Sequence, residues 1–393
     1  MKVLVFTTLY PNNISPNFGV FIKERMTSFA RLNGHRVKVV APVPYFPAIK
    51  IGEYWKFSQI APQERIEGLE VHHPRYFMTP KIGMSTYGAM MFASVLPAIV
   101  KIRREFDFDL IDAHYVYPDG LAAVLLGRYF KKPVVVSARG SDINLFAKFP
   151  FIRKLLRYTL ANADHAIAVC QALKDEMVQL QVPDHKITVI PNGVDTQKFY
   201  PAAKMASRRE LDLPDKRLIL SVGELIPRKG FHILIKALKL LRDEYHEKDL
   251  YLVIIGEGKY RQELERLIAA LGLQEAVRLA GKIPHSDLRR WYSAADFFCL
   301  ASDREGWPNV VLEAMACGTP VIATNVWGIP EIIVSDQLGL LTSRNEHEMA
   351  RTIGLALKRN WAAETISQYA REKTWDRTAL SVQHVFDSIL CGA

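Results

Sequence analysis

At 393 residues the chain is too long for one ordinary hydrophobic core, and two domains are expected. With 49% hydrophobic and 23% charged residues it reads as a soluble globular protein, which excludes disordered and collagen-like classes. The net charge of +10 sits almost wholly in the first half, where residues 1–192 hold 24 Lys and Arg against 15 Asp and Glu. No zinc-finger, RNP or basic-heptad pattern accompanies it, so no nucleic-acid partner is expected; an anionic membrane surface or an anionic acceptor fits better.

The opening Lys2-Val-Leu-Val-Phe reads as a buried strand. Its apolar run is too short for a leader peptide, and no small-residue cleavage pattern follows. A loop through Tyr10-Pro11 to Gly19 leads to a helix over 21–32 and a strand from Arg36. This is a strand–loop–helix–strand unit of the doubly wound kind. Gly19 is either a turn glycine or one that lets a phosphate approach the backbone. Residues 42–86 read as a long excursion with a hairpin around Gly68, and 88–105 as a helix. The apolar stretch 89–100 contains Pro97 and is too short to span a bilayer.

The strand Asp109–His114 puts His114 at its carboxyl end, where doubly wound sheets bind ligands. A structural and a catalytic histidine are both open at this point. Asp107-Phe-Asp109 precedes the strand and is rejected as a metal motif; no metal site is expected. A strand from Pro133 runs into Arg139-Gly140-Ser141-Asp142, and Arg139 either adds a cationic contact or pairs with Asp142. Residues 148–158 set Lys148, Arg153, Lys154 and Arg157 among Phe149, Phe151 and Leu155. That segment is either a surface for anionic lipid or a core-facing helix with a solvated back. Strands at 163–170 and 186–190 follow, and 198–207 reads as a linker, with the domain boundary between 192 and 210.

The second half repeats the strand–glycine–helix unit, from Arg217–Gly223 through Arg228-Lys229-Gly230 to a helix over 231–243. Arg228 and Lys229 beside a helix start suit two phosphates. Further strands are expected at Tyr251–Gly256, Val277–Ala280, Phe297–Leu300 and Pro320–Ala323. Between the last two lies EGWPNVVLEAMACG, residues 305–318. Pro308 suits a helix start, placing Glu305 on the loop before the helix and Glu313 inside it. An anion-attracting helix start flanked by two acids that can accept sugar hydroxyls suits a nucleotide sugar. Alone, two acids eight apart are more often a solvated helix face. The cysteines Cys170, Cys299, Cys317 and Cys391 are far apart with no CxxC, which suggests reduced thiols rather than a zinc site.

The run from Glu305 through Gly318-Thr-Pro-Val-Ile-Ala-Thr to Gly328-Ile-Pro-Glu-Ile-Ile333 closely resembles the signature of glycosyltransferase family 4. The resemblance implies a GT-B fold, two Rossmann-like domains with parallel sheets facing across a cleft, and a retaining, metal-independent hexosyltransferase without a cofactor. It implies an acceptor domain over 1–195, a nucleotide-sugar domain over 196–375, and a C-terminal helix over 376–393 returning to the first. It also implies roles. Arg228 and Lys229 bind the donor diphosphate, with backbone groups near Asn309, Val310 and Val311. Glu305 holds the transferred sugar and Glu313 the ribose. His114 stands beside the anomeric centre, and Arg139, Ser141 and Asp142 lie toward the acceptor or the donor phosphates. Relatives usually carry His where Arg139 stands, and often Arg where Glu224 stands. The Tyr-Pro…Phe-Gly-Val-Phe and Tyr-Pro-Asp-Gly patterns resemble bacterial family members that build surface polysaccharides. The expected enzyme is cytoplasmic and peripheral on the inner membrane face, with a UDP- or GDP-sugar donor and a hydroxyl acceptor that a lipid can carry. An epimerase or glycogen-synthase-like enzyme of the same fold stays open beside it, as does, less favoured, a non-catalytic sugar-nucleotide-binding subunit.

Overall fold

The computed structural model describes residues 1–50, 52, 54–78 and 83–391. Residues 51, 53 and 79–82 of the expected excursion lie outside the described residues. The chain divides into two compact units, Met1–Asn192 with Trp375–Ala393, and Gly193–Thr374.

Among the described residues the first unit carries ten strands: β1 (Lys2–Phe6), β2 (Arg36–Val40), β3 (Val43–Pro44), β4 (Gln63–Ile66), β5 (Leu69–His72), β6 (Arg75–Tyr76), β7 (Leu110–His114), β8 (Val134–Ala138), β9 (His165–Ala168) and β10 (Ile187–Val189). Eight form one sheet in the order β10-β9-β8-β7-β1-β2-β5-β4. All neighbours run parallel except β4 and β5. Continuous Val and Ile runs, rather than alternation, mark strands covered on both faces. The β4–β5 hairpin turns at Glu67-Gly68, both with positive φ, as a two-residue turn demands. The small β3–β6 ribbon had no signal in the sequence. Helix Val20–Arg31 packs Met26 and Phe29 onto the sheet, and helix Trp375–Cys391 joins the same core through Ala379, Val382 and Phe386.

The helix Tyr87–Glu105 lies where 88–105 was expected; with the turn Met84–Thr86 before it the stretch Met84–Glu105 is, by length and composition and against the reading of 89–100, long enough to cross a membrane. Its stripe Gly88, Met91, Val95, Ile99 and Ile102 is buried in the unit, while Ala89, Ala93 and Pro97 are exposed.

The second unit has six parallel strands: β11 (Arg217–Val222), β12 (Leu250–Ile255), β13 (Val277–Gly281), β14 (Phe297–Leu300), β15 (Val321–Thr324) and β16 (Gly339–Thr342). Their order, β13-β12-β11-β14-β15-β16, reverses direction between β11 and β14. Helix Phe231–Asp243 covers the sheet with Phe231, Leu234, Ile235, Leu238 and Leu241. The stretch expected as linker instead holds a helix, Lys204–Glu210. Ion pairs and a carbonyl pin it: Arg208 donates to the Ala294 carbonyl at 3.0 Å and to Asp296 Oδ2 at 2.6 Å. Such polar anchoring leaves no apolar periodicity to read.

Candidate active site

Open parallel sheets bind ligands outside the carboxyl ends of their strands, at the point where strand order reverses. In the second unit that point lies between β11 and β14, and the loops after these two strands carry Arg228, Lys229 and Glu305. The β11 loop turns into its helix at Gly230, whose φ is 71°. A Cβ there would stand 2.0 Å from the Ala301 carbonyl oxygen, so only glycine lets the two loops approach this closely. Lys229 Nζ lies 2.5 Å from Glu305 Oε1, and Ser302 donates to the same oxygen at 2.7 Å. Arg228 donates to the Arg304 carbonyl at 2.7 Å and stands 3.8 Å from Glu305 Oε1. Burial pushes the Glu305 carboxyl up, but the Lys229 ammonium, the Ser302 hydroxyl and Arg228 pull harder and hold it below the usual carboxylate range. It is therefore ionised and holds the lysine in place.

The helix after this loop is Asn309–Ala316, with Pro308 in the capping position. Its first turn contains Asn309, Val310 and Val311, and Val311 N–H already bonds the Pro308 carbonyl. Glu313 follows one turn on and is buried. Its two oxygens have separate partners: His285 Nε2 at 2.8 Å from Oε1, and the Tyr292 hydroxyl donating to Oε2 at 2.9 Å. Burial and then Glu313 itself raise the Tyr292 phenol well above its ordinary value, so it stays a donor. Phe199 packs edge-on against both His285 and Tyr292. His285, Tyr292 and Ser302 escaped the sequence reading, since none sits in a pattern of its own. Glu224 is exposed, and its carboxylate makes no ion pair among the described residues.

In the first unit strand order reverses between β1 and β7. The two following loops are tied together, with Thr8 donating from its amide and hydroxyl to Asp119 at 3.1 and 3.0 Å. Burial raises the Asp119 carboxyl to about 8 despite those bonds. Gly19 has φ 65° and a Cβ would stand 2.3 Å from the Leu9 carbonyl oxygen, so the turn itself requires this glycine.

His114 ends β7 and is fully buried. Arg139 Nη2 lies 2.5 Å from His114 Nδ1, and Asp112 Oδ2 stands 3.1 Å from Nε2. A guanidinium only donates, so Nδ1 accepts and the ring proton sits on Nε2. Burial pushes the imidazole down to about 3, with Arg139 and Arg25 adding to that effect and Asp112 opposing it. The ring is neutral. Asp112 is buried, and against that burial His114 and Arg25 hold it below its ordinary value. Its place two residues before His114 puts both on one face of the strand, the one signal that would have found it. Arg25 reaches Asp112 at 3.5 Å and donates to the Ser137 hydroxyl at 3.0 Å.

Asp142 does not pair with the Arg139 side chain. It accepts backbone N–H bonds from Val116 at 2.9 Å, Arg139 at 3.0 Å and Gly140 at 2.8 Å. Ser141 shares a hydrogen bond with Tyr115. Asp107 pairs with Arg103 at 2.8 Å, and Asp109 accepts the Lys2 amide at 2.6 Å, so both acids of that pattern have structural partners.

Two Rossmann-like units, each a sheet with buried polar side chains gathered near its reversal point, have the GT-B glycosyltransferase fold. Residues 19–198 match the sequence model of Glycosyltransferase Family 4, and residues 204–373 that of Glycosyl transferases group 1. The two matches together take in most of the chain and make it a glycosyltransferase of GT-B type, its first part of the family 4 kind and its second of group 1. It is 28% identical over 404 positions to TuaC of Bacillus subtilis (strain 168), named as a teichuronic acid biosynthesis glycosyltransferase; the match spans 99% of this chain and 95% of that one. It is 28% identical, over 72% of both chains, to a GDP-mannose-dependent phosphatidylinositol monomannoside mannosyltransferase of Mycolicibacterium smegmatis. Among solved structures, sucrose-phosphate synthase from Thermosynechococcus elongatus superimposes with a TM-score of 0.81 at 20% identity, over 100% of this chain and 99% of that one. Anabaena HepE in complex with UDP-glucose gives 0.73 at 20%, over 99% and 100%.

Proposed function

We propose that the chain is a retaining, metal-independent hexosyltransferase moving a sugar from a nucleoside-diphosphate sugar to a hydroxyl acceptor, in the synthesis of a surface polysaccharide or glycolipid. The observation that carries this reading is the Arg228–Lys229–Glu305 cluster at the reversal point of the second sheet. It presents two fixed cations beside an ionised acid, next to the start of the Asn309–Ala316 helix. As the glycosidic bond breaks, charge grows on the departing diphosphate. Cations and helix amides already in place stabilise that charge most in the transition state and need no metal ion to do so. Glu305 takes hydroxyls of the transferred sugar, releasing Lys229 to the phosphate. Glu313, oriented by His285 and Tyr292, takes the ribose. No cofactor takes part in this reading.

Attack comes from the face the leaving group vacates, and a donor phosphate oxygen receives the acceptor proton. His114 is a poor candidate for that proton, since the lone pair of its neutral ring, on Nδ1, already accepts from Arg139. The relatives named for teichuronic acid and for a phosphatidylinositol mannoside support an acceptor built on a polymer or lipid; the GDP-mannose named for the second and the UDP-glucose held by HepE keep both UDP- and GDP-sugars as donors in this reading. The protein works in the cytoplasm, adhering to the inner membrane face through basic residues of the first unit.

A thermal-shift screen of UDP-, GDP- and ADP-sugars tests the donor class. At least one is expected to raise the melting temperature, and the hit to be slowly hydrolysed without acceptor. A chain that no nucleotide sugar stabilises, or an epimer formed without acceptor, would contradict the reading.

A further inference from the structure

Arg139 follows the carboxyl end of β8, and its setting is unusual for an arginine. Of its five N–H donors, one goes to His114 Nδ1 at 2.5 Å and one to Asn192 Oδ1 at 3.0 Å. Both acceptors are neutral. Nε is enclosed by protein and has no partner. The Phe21 ring lies against the guanidinium, 5.3 Å from the ring centre to its central carbon. The two carboxylates nearby are committed elsewhere, Asp112 to Arg25 and Asp142 to backbone amides. Among the described residues no carboxylate stands within ion-pair distance of Arg139. A partly buried cation without an anion is costly, and proteins ordinarily pair it. Burial and the neighbouring Arg25 push this guanidinium down to about 9, with Asp112 and Asp142, neither in an ion pair with it, opposing from a distance.

We propose that Arg139 is an oxyanion-binding residue of the first unit, its fork held by His114 and Asn192 for a phosphate group on the substrate. In this arrangement His114 is a positioning residue. Its buried, neutral ring offers Arg139 an acceptor without cancelling its charge, and Asp112 fixes the ring tautomer that makes this possible. The proposal rests on the transferase reading above and narrows it to a substrate that brings a phosphate to this unit, as a lipid-linked pyrophosphate acceptor would.

Calorimetric titration of inorganic pyrophosphate into the full chain tests it. Lys229→Ala first removes the phosphate contact assigned to the second unit, so the titration reads what remains. That variant is expected to keep one pyrophosphate site. Adding Arg139→Gln should weaken this site roughly tenfold, the loss of one charge-assisted hydrogen bond. Arg139→Lys, which keeps the charge and loses the fork, should fall between the two. Melting curves confirm that each variant is folded. Equal affinity with and without Arg139→Gln would overturn the proposal, as would a lysine variant no better than glutamine or a Lys229→Ala chain that binds no pyrophosphate. A wild-type chain that transfers no sugar would instead remove the transferase reading, and the titration would stand apart from it.

Discussion

Two glutamates eight residues apart meet different surroundings, and the roles proposed for them differ accordingly. Glu305 shares its proton-free carboxylate with Lys229 and Ser302 at the mouth of the β14 loop. Glu313 is buried, with both oxygens taken by neighbours that orient it. Glu305→Gln removes the charge that holds Lys229 and the contact that tightens as the anomeric carbon changes shape. It should slow turnover roughly 30-fold, about 2 kcal/mol in the transition state, with a smaller change in the donor constant. Glu313→Gln keeps an oxygen for one of its two partners and loses only ribose binding, so it should raise the donor constant more than it slows turnover. Steady-state kinetics of both variants read the split, and the opposite pattern would exchange the two roles. The positions of these acids were legible because a proline, a helix and a glycine frame them in sequence. Their partners His285, Tyr292 and Ser302 were not, because tertiary packing alone brings them there.

Among the elements, the C-terminal helix Trp375–Cys391 follows directly on the second unit in sequence yet packs in the core of the first. Phe386 sets its ring edge-on to Phe29, 5.4 Å between centroids, and is fully buried. Phe386→Ala should therefore cost about 3–5 kcal/mol, and the loss should appear in the unfolding of the first unit. Urea denaturation followed by a probe in each unit reads this; an unchanged transition in the first unit would mean the helix contributes little there. The strands themselves were readable wherever a run of Val, Ile and Leu ends in glycine or a loop signal, as in β1, β8, β11 and β12. The β3–β6 ribbon, the edge strand β16 and the helix Lys204–Glu210 were not. Two-residue pairing carries no pattern, Gly339-Leu-Leu-Thr is too short to weigh, and Arg208 anchors its helix through charge rather than an apolar stripe.

For the whole molecule, the charge asymmetry and the chemistry of the second unit make separate claims. Residues 1–192 carry a net +9 and residues 193–393 a net +1. Helix Pro150–Asn162 buries Ile152, Leu156, Thr159 and Leu160 and leaves Arg153, Lys154, Arg157 and Phe151 exposed, so the basic face is free to meet a surface. Each such residue near an anionic leaflet contributes ~1 kcal/mol, enough together for reversible adhesion. Co-sedimentation at low salt should show binding to vesicles containing phosphatidylglycerol and little to phosphatidylcholine alone; equal binding to both, or none to either, would end that proposal and leave the chemistry untouched. The chemistry itself is read most directly by proton NMR of the sugar product formed in excess EDTA, for the wild-type chain beside Lys229→Ala. The expected product keeps the donor's anomeric configuration and forms without metal, and Lys229→Ala is slower by the ~2–4 kcal/mol that one preorganised cation supplies. An inverted anomer, a strict need for Mg²⁺ or Mn²⁺, or a Lys229→Ala chain as fast as wild type would contradict it.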